Sequence, residues 1–276
     1  MPPTIGQARV NGVTLDYVEQ GQGAPVVFVH GATIDHRAWE GQREAVARYY
    51  RYIALTQRYF GTSPWLDAGE KYSLTTHADD LTTFIRNLNA GPVHLVGWSY
   101  GGTISLTVGV RRPELVKSLF LFEGVGTSHI SDPSDAKAVA EDRAAMAGPA
   151  AAASNAGDMA GAVRLFMDGV NGQAGAFDAL DASSRSMLLD NARTVPLHVR
   201  APAPPTITPA DLKQMTLPVA IARGECTRPC FRIPADTAHR CIPGSRLIVI
   251  PNGRHNAPYA DPLAFNDALL GFLRDA

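Results

Sequence analysis

Residues 95–102 read LVGWSYGG, which sets Ser99 between Gly97 and Gly101. The segment before it, GPVHLVGW (91–98), reads as a strand. The segment after it, Ser99 to Arg111, reads as a helix that stops before Pro113. A bare G-x-S-x-G match is often an ordinary glycine-rich turn, but a strand before and a helix after favour a nucleophile. A side chain on a sharp strand-to-helix turn is forced into strained backbone angles. Glycine at both flanks removes the clashes with the neighbouring strand and helix. Such a turn lifts the Ser99 hydroxyl above the sheet, and the new helix aims its N–H groups and positive dipole end at the same spot.

Outward from this turn, strands and helices alternate. ARVNGVTLDYVEQG (8–21) reads as a hairpin turned by Asn11-Gly12, with Val13, Leu15 and Tyr17 on one apolar face. PVVFVH (25–30) is an apolar run suited to a strand buried on both faces. A helix is predicted around Arg37 to Ala47, a strand at 50–56, an amphipathic helix from Ser73 to Asn89 and a strand at 115–123. Residues 126–215 then hold no convincing strand. They contain an alanine-rich, helix-competent stretch (Ala138–Ala162) and a proline-rich piece, RAPAPPTITPADL, whose TPAD reads as a helix start. Alternation resumes with a strand at 217–224, a helix near Ala235–Arg240, a strand at 246–251 and a last helix with Asp261 as N-cap and Pro262 at its first position. The pattern implies an α/β fold, a mostly parallel sheet with helices on both faces. Residues 1–125 and 216–276 would form its core, and 126–215 a helical lid over the strand ends.

The totals exclude several classes. The 276 residues carry a formal net charge of −1 and no long charge run, so neither a nucleic acid nor a membrane surface is an expected partner. Three cysteines, Cys226, Cys230 and Cys241, argue against a disulfide framework, and no second ligand pair accompanies Cys226-x-x-x-Cys230, so no metal is expected. MPPTIGQARVNG lacks the charged and apolar regions of a signal peptide, and the expected location is the cytoplasm.

The stretches FVHGATIDHRAW, QRYFGTSPW, LVGWSYGG, LFLFEG and PNGRHNAPYADP stand in the order and spacing of the α/β-hydrolase fold, which the chain resembles over nearly its whole length. A serine needs a base to take its proton. Of the eight histidines, His255 is the candidate, in a loop just after the last strand, where the resemblance also puts the family's catalytic histidine. His77, His94, His129, His198 and His239 read as packing or surface residues. The acid is the point of departure. The family's commonest pattern has an aspartate where GECT places Thr227. Glu123, ending LFLFEG, stands where some branches of the family carry the acid, and it is favoured over Glu225, which sits beside the vacant place. The resemblance implies an oxyanion hole from the backbone N–H groups of Tyr100 and Ala32. His30, Asp35, His36 and Trp98 are candidates to line the pocket, with an N-cap role open for Asp35 and a core role for Trp98. Thr56 replaces a usual aspartate in the loop TQRYFGTSPW.

These readings imply a serine hydrolase that cleaves a small, mostly apolar ester or lactone through an acyl-enzyme, with no cofactor and no protein partner. The same residues also occur in C–C bond hydrolases and cofactorless haloperoxidases of this fold. A slow or non-catalytic small-molecule receptor is the reading from another class. Whether a carboxylate pairs with His255 separates it from an enzyme.

Overall fold

The computed structural model describes residues 2–276. Eight strands form one sheet in the order β1-β2-β4-β3-β5-β6-β7-β8. They are β1 (Thr4–Val10), β2 (Val13–Gln20), β3 (Pro25–Val29), β4 (Arg51–Leu55), β5 (Val93–Trp98), β6 (Val116–Phe122), β7 (Val219–Gly224) and β8 (Arg246–Ile250). β2 runs antiparallel to both β1 and β4, and the remaining neighbours are parallel. The β1–β2 hairpin turns at Asn11 (φ 43°) and Gly12 (φ 84°), two positive-φ residues whose twist matches that of the strands.

Period-two alternation sends neighbouring side chains to opposite faces. Phe28, Ala54, Val96, Phe120, Phe122 and Ala220 join one apolar layer. Val27, Ile53, Leu95, Leu119, Leu121 and Ile221 join the other. Both faces are covered, which is why β3 and β5 read as unbroken apolar runs. The first layer takes Val46 of α1 (Glu40–Ala47) and Phe265 and Leu269 of α11 (Pro262–Asp275). The second takes Leu81, Phe84 and Ile85 of α2 (Leu74–Leu88) and Ile104 of α3 (Tyr100–Arg111). Burying a side chain such as Phe84 stabilises the fold by roughly 1.5–3 kcal/mol.

Between β6 and β7 lie α4 (Pro133–Asn155), α5 (Met159–Asn171), α6 (Ala182–Asp190), α7 (Val195–Arg200) and α8 (Pro209–Lys213). Local chemistry sets their ends. Asp132, Asp158 and Asp181 accept hydrogen bonds from the first-turn N–H groups of α4, α5 and α6. Thr208 and Asp211 form a reciprocal capping box on α8. The alanine-rich stretch is two helices rather than one, because Gly157 (φ 83°) turns the chain between α4 and α5. α9 (Pro229–Cys241) starts a turn and a half before the expected Ala235, with Pro234 inside it. Pro229 takes the first helical position, where a missing N–H costs nothing, whereas Pro234 at the sixth removes the donor that would bond Cys230 O. The short α10 (Ala257–Ala260) precedes α11, which Asp261 caps at Ala264 N–H.

The strand order reverses between β3 and β5, since the chain leaves β3 toward β4 and leaves β5 toward β6. In open α/β sheets a crevice for ligands forms beyond the carboxyl ends of the strands at such a point. The residue that follows β5 is Ser99.

Candidate active site

Ser99 has φ 55° and ψ −118°, a strained conformation for a residue with a side chain. Its N–H donates to Phe122 O at 2.9 Å, which ties the turn to the end of β6. The flanking glycines are required by close approach. A Cβ on Gly97 would lie 2.6 Å from Gly102 Cα, and one on Gly101 would lie 2.2 Å from Val29 O. α3 begins at Tyr100, so its amino end faces the place the Ser99 side chain occupies.

β6 ends one strand away, and Glu123 follows it with φ 48°. Its backbone N–H donates to Ala222 O at 3.0 Å. Glu123 is 4% exposed, and both carboxylate oxygens have partners. Oε1 accepts from Gly224 N–H at 2.8 Å, and Oε2 lies 2.6 Å from Nδ1 of His255. A buried carboxylate needs such partners to offset its desolvation. His255 sits in the loop after β8, with Phe231 stacked on its ring at 4.1 Å between centroids and the Trp98 ring at 5.8 Å. Glu225, the other acid the sequence offers, is exposed and accepts from Asn252 N–H at 2.9 Å. Thr227 stands at the place of the commoner acid, and its hydroxyl oxygen is buried without a hydrogen-bond partner among the described residues.

Two cavities meet Ser99. One of about 20 Å³ is bounded by Gly31, Ala32, Ile34, Trp98, Ser99 and His255, among others. The other, of about 560 Å³, has Ala32, Ser99, Tyr100 and Glu123 on the sheet side and Met146, Phe166 and His198 from the helices between β6 and β7. The Gly31 backbone passes close to the serine, so that a Cβ there would lie 3.2 Å from Ser99 Cβ. A surface groove of about 750 Å³ beside α2 and α3 is larger, but it holds none of these residues and its buried cation, Arg58, is already paired with Asp80.

Three of the pocket candidates lie outside both cavities. Buried His30 has its Nδ1 2.8 Å from Gly31 O and accepts from Gln57 N–H at Nε2, 3.0 Å away. Burial lowers its pKa to about 4, so it is a neutral cross-brace between two loops. Asp35 caps the short turn His36–Trp39 through Arg37 N–H. Burial alone would raise its pKa. Hydrogen bonds from the Arg37 side chain and from Asn191 Nδ2 outweigh that and hold the carboxyl below its ordinary value. His36 places Nδ1 2.6 Å from Thr56 Oγ1. Gln57, Thr56 and Asn191, which lie 27, 20 and 156 residues from His30, His36 and Asp35, draw these side chains away, and no local pattern pairs them. Trp98 takes both roles left open for it, since it bounds the small cavity and is 3% exposed in the core against Trp39.

The histidines expected to be dull divide. His129 is buried with Nε2 3.0 Å from Pro234 O, and His94 pairs with Ser118 Oγ inside the sheet. His77 braces the site, with Nδ1 2.8 Å from the Tyr100 hydroxyl. His198 borders the large cavity, and its Nδ1 lies 3.2 Å from the Tyr72 hydroxyl. Arg143 of α4 lines the same cavity. Nothing in the local sequence marks it, since only Val139, Ala150 and Ser154 of α4 are buried and no apolar face sets a charge apart.

The profile of the alpha/beta hydrolase family matches residues 26–268. The chain belongs to the alpha/beta hydrolase family. Within this family it is similar to (E)-2-((N-methylformamido)methylene)succinate hydrolase of Acinetobacter baylyi, 38% identical over 115 residues, 42% of this chain and 43% of that protein. It is also similar to a non-heme chloroperoxidase of Kitasatospora aureofaciens, 41% identical over 93 residues, 33% of each chain. These matches span less than half the length of either relative. An esterase from Exiguobacterium antarcticum superposes with a TM-score of 0.77 over 98% of this chain and 99% of that one, at 21% identity. The alpha/beta hydrolase fold is therefore shared along the whole chain. No helix among the described residues is long and apolar enough to cross a membrane.

Proposed function

We propose that this alpha/beta hydrolase is a serine hydrolase that cleaves a small, mostly apolar ester or lactone, with Ser99 as nucleophile, His255 as base and Glu123 as the acid that orients the base. The observation that carries the reading is the 2.6 Å contact between Glu123 Oε2 and His255 Nδ1, beside a small cavity that His255 shares with Ser99. Glu123 holds the Nδ1 proton and leaves Nε2 free to accept the proton of the serine hydroxyl. Ser99 Oγ then attacks the carbonyl carbon, and the carbonyl oxygen becomes an oxyanion. The N–H groups of Ala32 and Tyr100 receive that charge, helped by the positive end of α3. His255 passes its proton to the leaving alkoxide. A water molecule deprotonated by His255 attacks the acyl-enzyme, and the acid departs.

The apolar lining contributed by Met146, Phe166, Val170 and Phe231 suits a substrate with a short hydrocarbon body, and helices α4–α8 act as the lid over it. The pairing of a carboxylate with His255 supports turnover over a purely binding role. The test is hydrolysis of a panel of 4-nitrophenyl esters and simple lactones by the wild-type protein and Ser99→Ala. Turnover that falls at least 10³-fold in the variant is expected. Turnover of equal size in both would overturn the assignment of Ser99.

A further inference from the structure

Arg143 is a solvent-exposed cation that lines the cavity above Ser99. α4 presents Val139, Arg143, Met146 and Ala150 along one stripe, and Val139 and Ala150 are 3% and 1% exposed. A charged residue on such a stripe is normally matched by a carboxylate. Its chain neighbour shows the usual case, since Asp142 pairs with Arg228 at 2.5 Å. Arg143 has no such partner. Among the described residues no carboxylate lies within ion-pair distance of it. It is exposed, unlike Val139 and Ala150, and it lines the 560 Å³ cavity that Ser99 and Tyr100 also line. Desolvation by the surrounding chain draws its pKa below the ordinary arginine value, against a smaller opposing pull from the Cys230 thiol.

His198 belongs to the same site. Its Nδ1 faces the Tyr72 hydroxyl, which leaves Nε2 for another partner. Burial and then the charge of Arg143 lower its pKa to about 4, so it is neutral at pH 7. One cation with a neutral hydrogen-bonding neighbour matches a single negative charge. A doubly charged phosphate would leave excess charge in an apolar cavity, whereas a planar carboxylate meets the guanidinium fork with two parallel hydrogen bonds.

We propose that Arg143 is a specificity residue that binds a carboxylate of the substrate, so that the enzyme acts on an acyl compound bearing a free acid group at its far end. The inference rests on the serine hydrolase reading above for its chemistry, but not for its binding. The Ser99 attack is unchanged. The distant carboxylate anchors the chain so that the reacting carbonyl lies over Ser99.

The experiment compares 4-nitrophenyl monoesters of succinic, glutaric and adipic acid with neutral 4-nitrophenyl esters of matched length. Wild type, Arg143→Met, Arg143→Gln and Arg143→Lys are assayed, and circular dichroism checks that each is folded. The wild type is expected to prefer one of the acid esters. Loss of a charged hydrogen-bonding group predicts a 10- to 100-fold fall in the acid-to-neutral ratio of kcat/KM for the Met and Gln variants, chiefly through KM, with part retained in the Lys variant. A ratio that is the same in wild type and both neutral variants overturns the proposal. Free glutarate and adipate titrated calorimetrically into Ser99→Ala, with and without Arg143→Met, test the site without chemistry. Binding lost only with Arg143 upholds the proposal, and equal binding, or none in either protein, overturns it. Neutral-ester turnover that survives Ser99→Ala would defeat the serine reading alone, because the titration still decides Arg143.

Discussion

Ser99 and Glu123 share a feature that no pattern of residue types reports. Both are non-glycine residues at positive φ, at the ends of adjacent strands. Such backbone is held only when its surroundings over-determine it, and here the hydrogen bonds from Ser99 N–H to Phe122 O and from Glu123 N–H to Ala222 O do so. The bend at Glu123 brings its carboxylate to His255 while Gly224 N–H satisfies the other oxygen. Glu123→Gln removes the charge that stabilises the imidazolium and presents the wrong hydrogen-bonding partner to Nδ1. The expected result is a fall in kcat of about 10³–10⁴-fold, with Glu225→Gln within about twofold of wild type, read from steady-state ester hydrolysis. Loss of turnover from the Glu225 change alone would move the acid role to that residue.

At the scale of elements, the site depends on how closely α3 approaches the sheet. Gly101 lies where the first turn of α3 meets the ends of β3, and an added methyl would overlap Val29 O and His30 O at 2.2 and 2.4 Å. Both obstacles are backbone atoms of a buried strand end, so neither yields easily. Gly101→Ala is expected to lower stability by about 3 kcal/mol, at the upper part of the overpacking range, and to displace Ser99 with it. Gly271 in α11 is the contrast, since a Cβ there would meet only the flexible Arg274 side chain at 3.9 Å. Gly271→Ala should add about 0.5–1 kcal/mol through helix propensity. Urea midpoints of the two variants and wild type measure both effects, and equal midpoints for the two would refute the close-approach argument. Asn191, just past α6, ties the elements together by donating to Asp35 Oδ2 and accepting from Gly61 N–H.

The whole molecule carries an acid sensitivity in its interior. His30, His77 and His94 are fully or nearly fully buried, and burial lowers their pKa values to about 4, 3 and 4. Unfolded, each titrates near its ordinary value of 6.5. Between pH 6.5 and 4 the unfolded chain therefore binds protons that the folded chain excludes, and stability rises with pH across that window. Lowering the pH from 7 to 5 is expected to remove on the order of 1–2 kcal/mol per histidine. Urea unfolding at pH 7, 6 and 5 measures it, and His94→Asn should flatten the dependence. A midpoint that stays constant from pH 7 to 5 would refute the account.

What was legible in the sequence is what short-range chemistry determines. Period-two and period-3.6 apolar patterns, Asn11-Gly12 and the Asp261-Pro262 cap place most of the elements, because each signal lies within one element. The G-x-S-x-G turn is equally local, since the steric demand at Ser99 is met by residues two positions away. The acid is less local. The sequence favours Glu123 over Glu225 through family resemblance, and only the packing of β6 against β7 brings the Glu123 carboxylate to His255 across 132 residues of chain. His30, Asp35 and His36 follow the same logic in reverse, since residues far along the chain engage them away from the cavity. Arg143 is legible last of all. An unpaired charge has meaning only once every neighbour is known, and α4 meets those neighbours through tertiary packing, which no local pattern encodes.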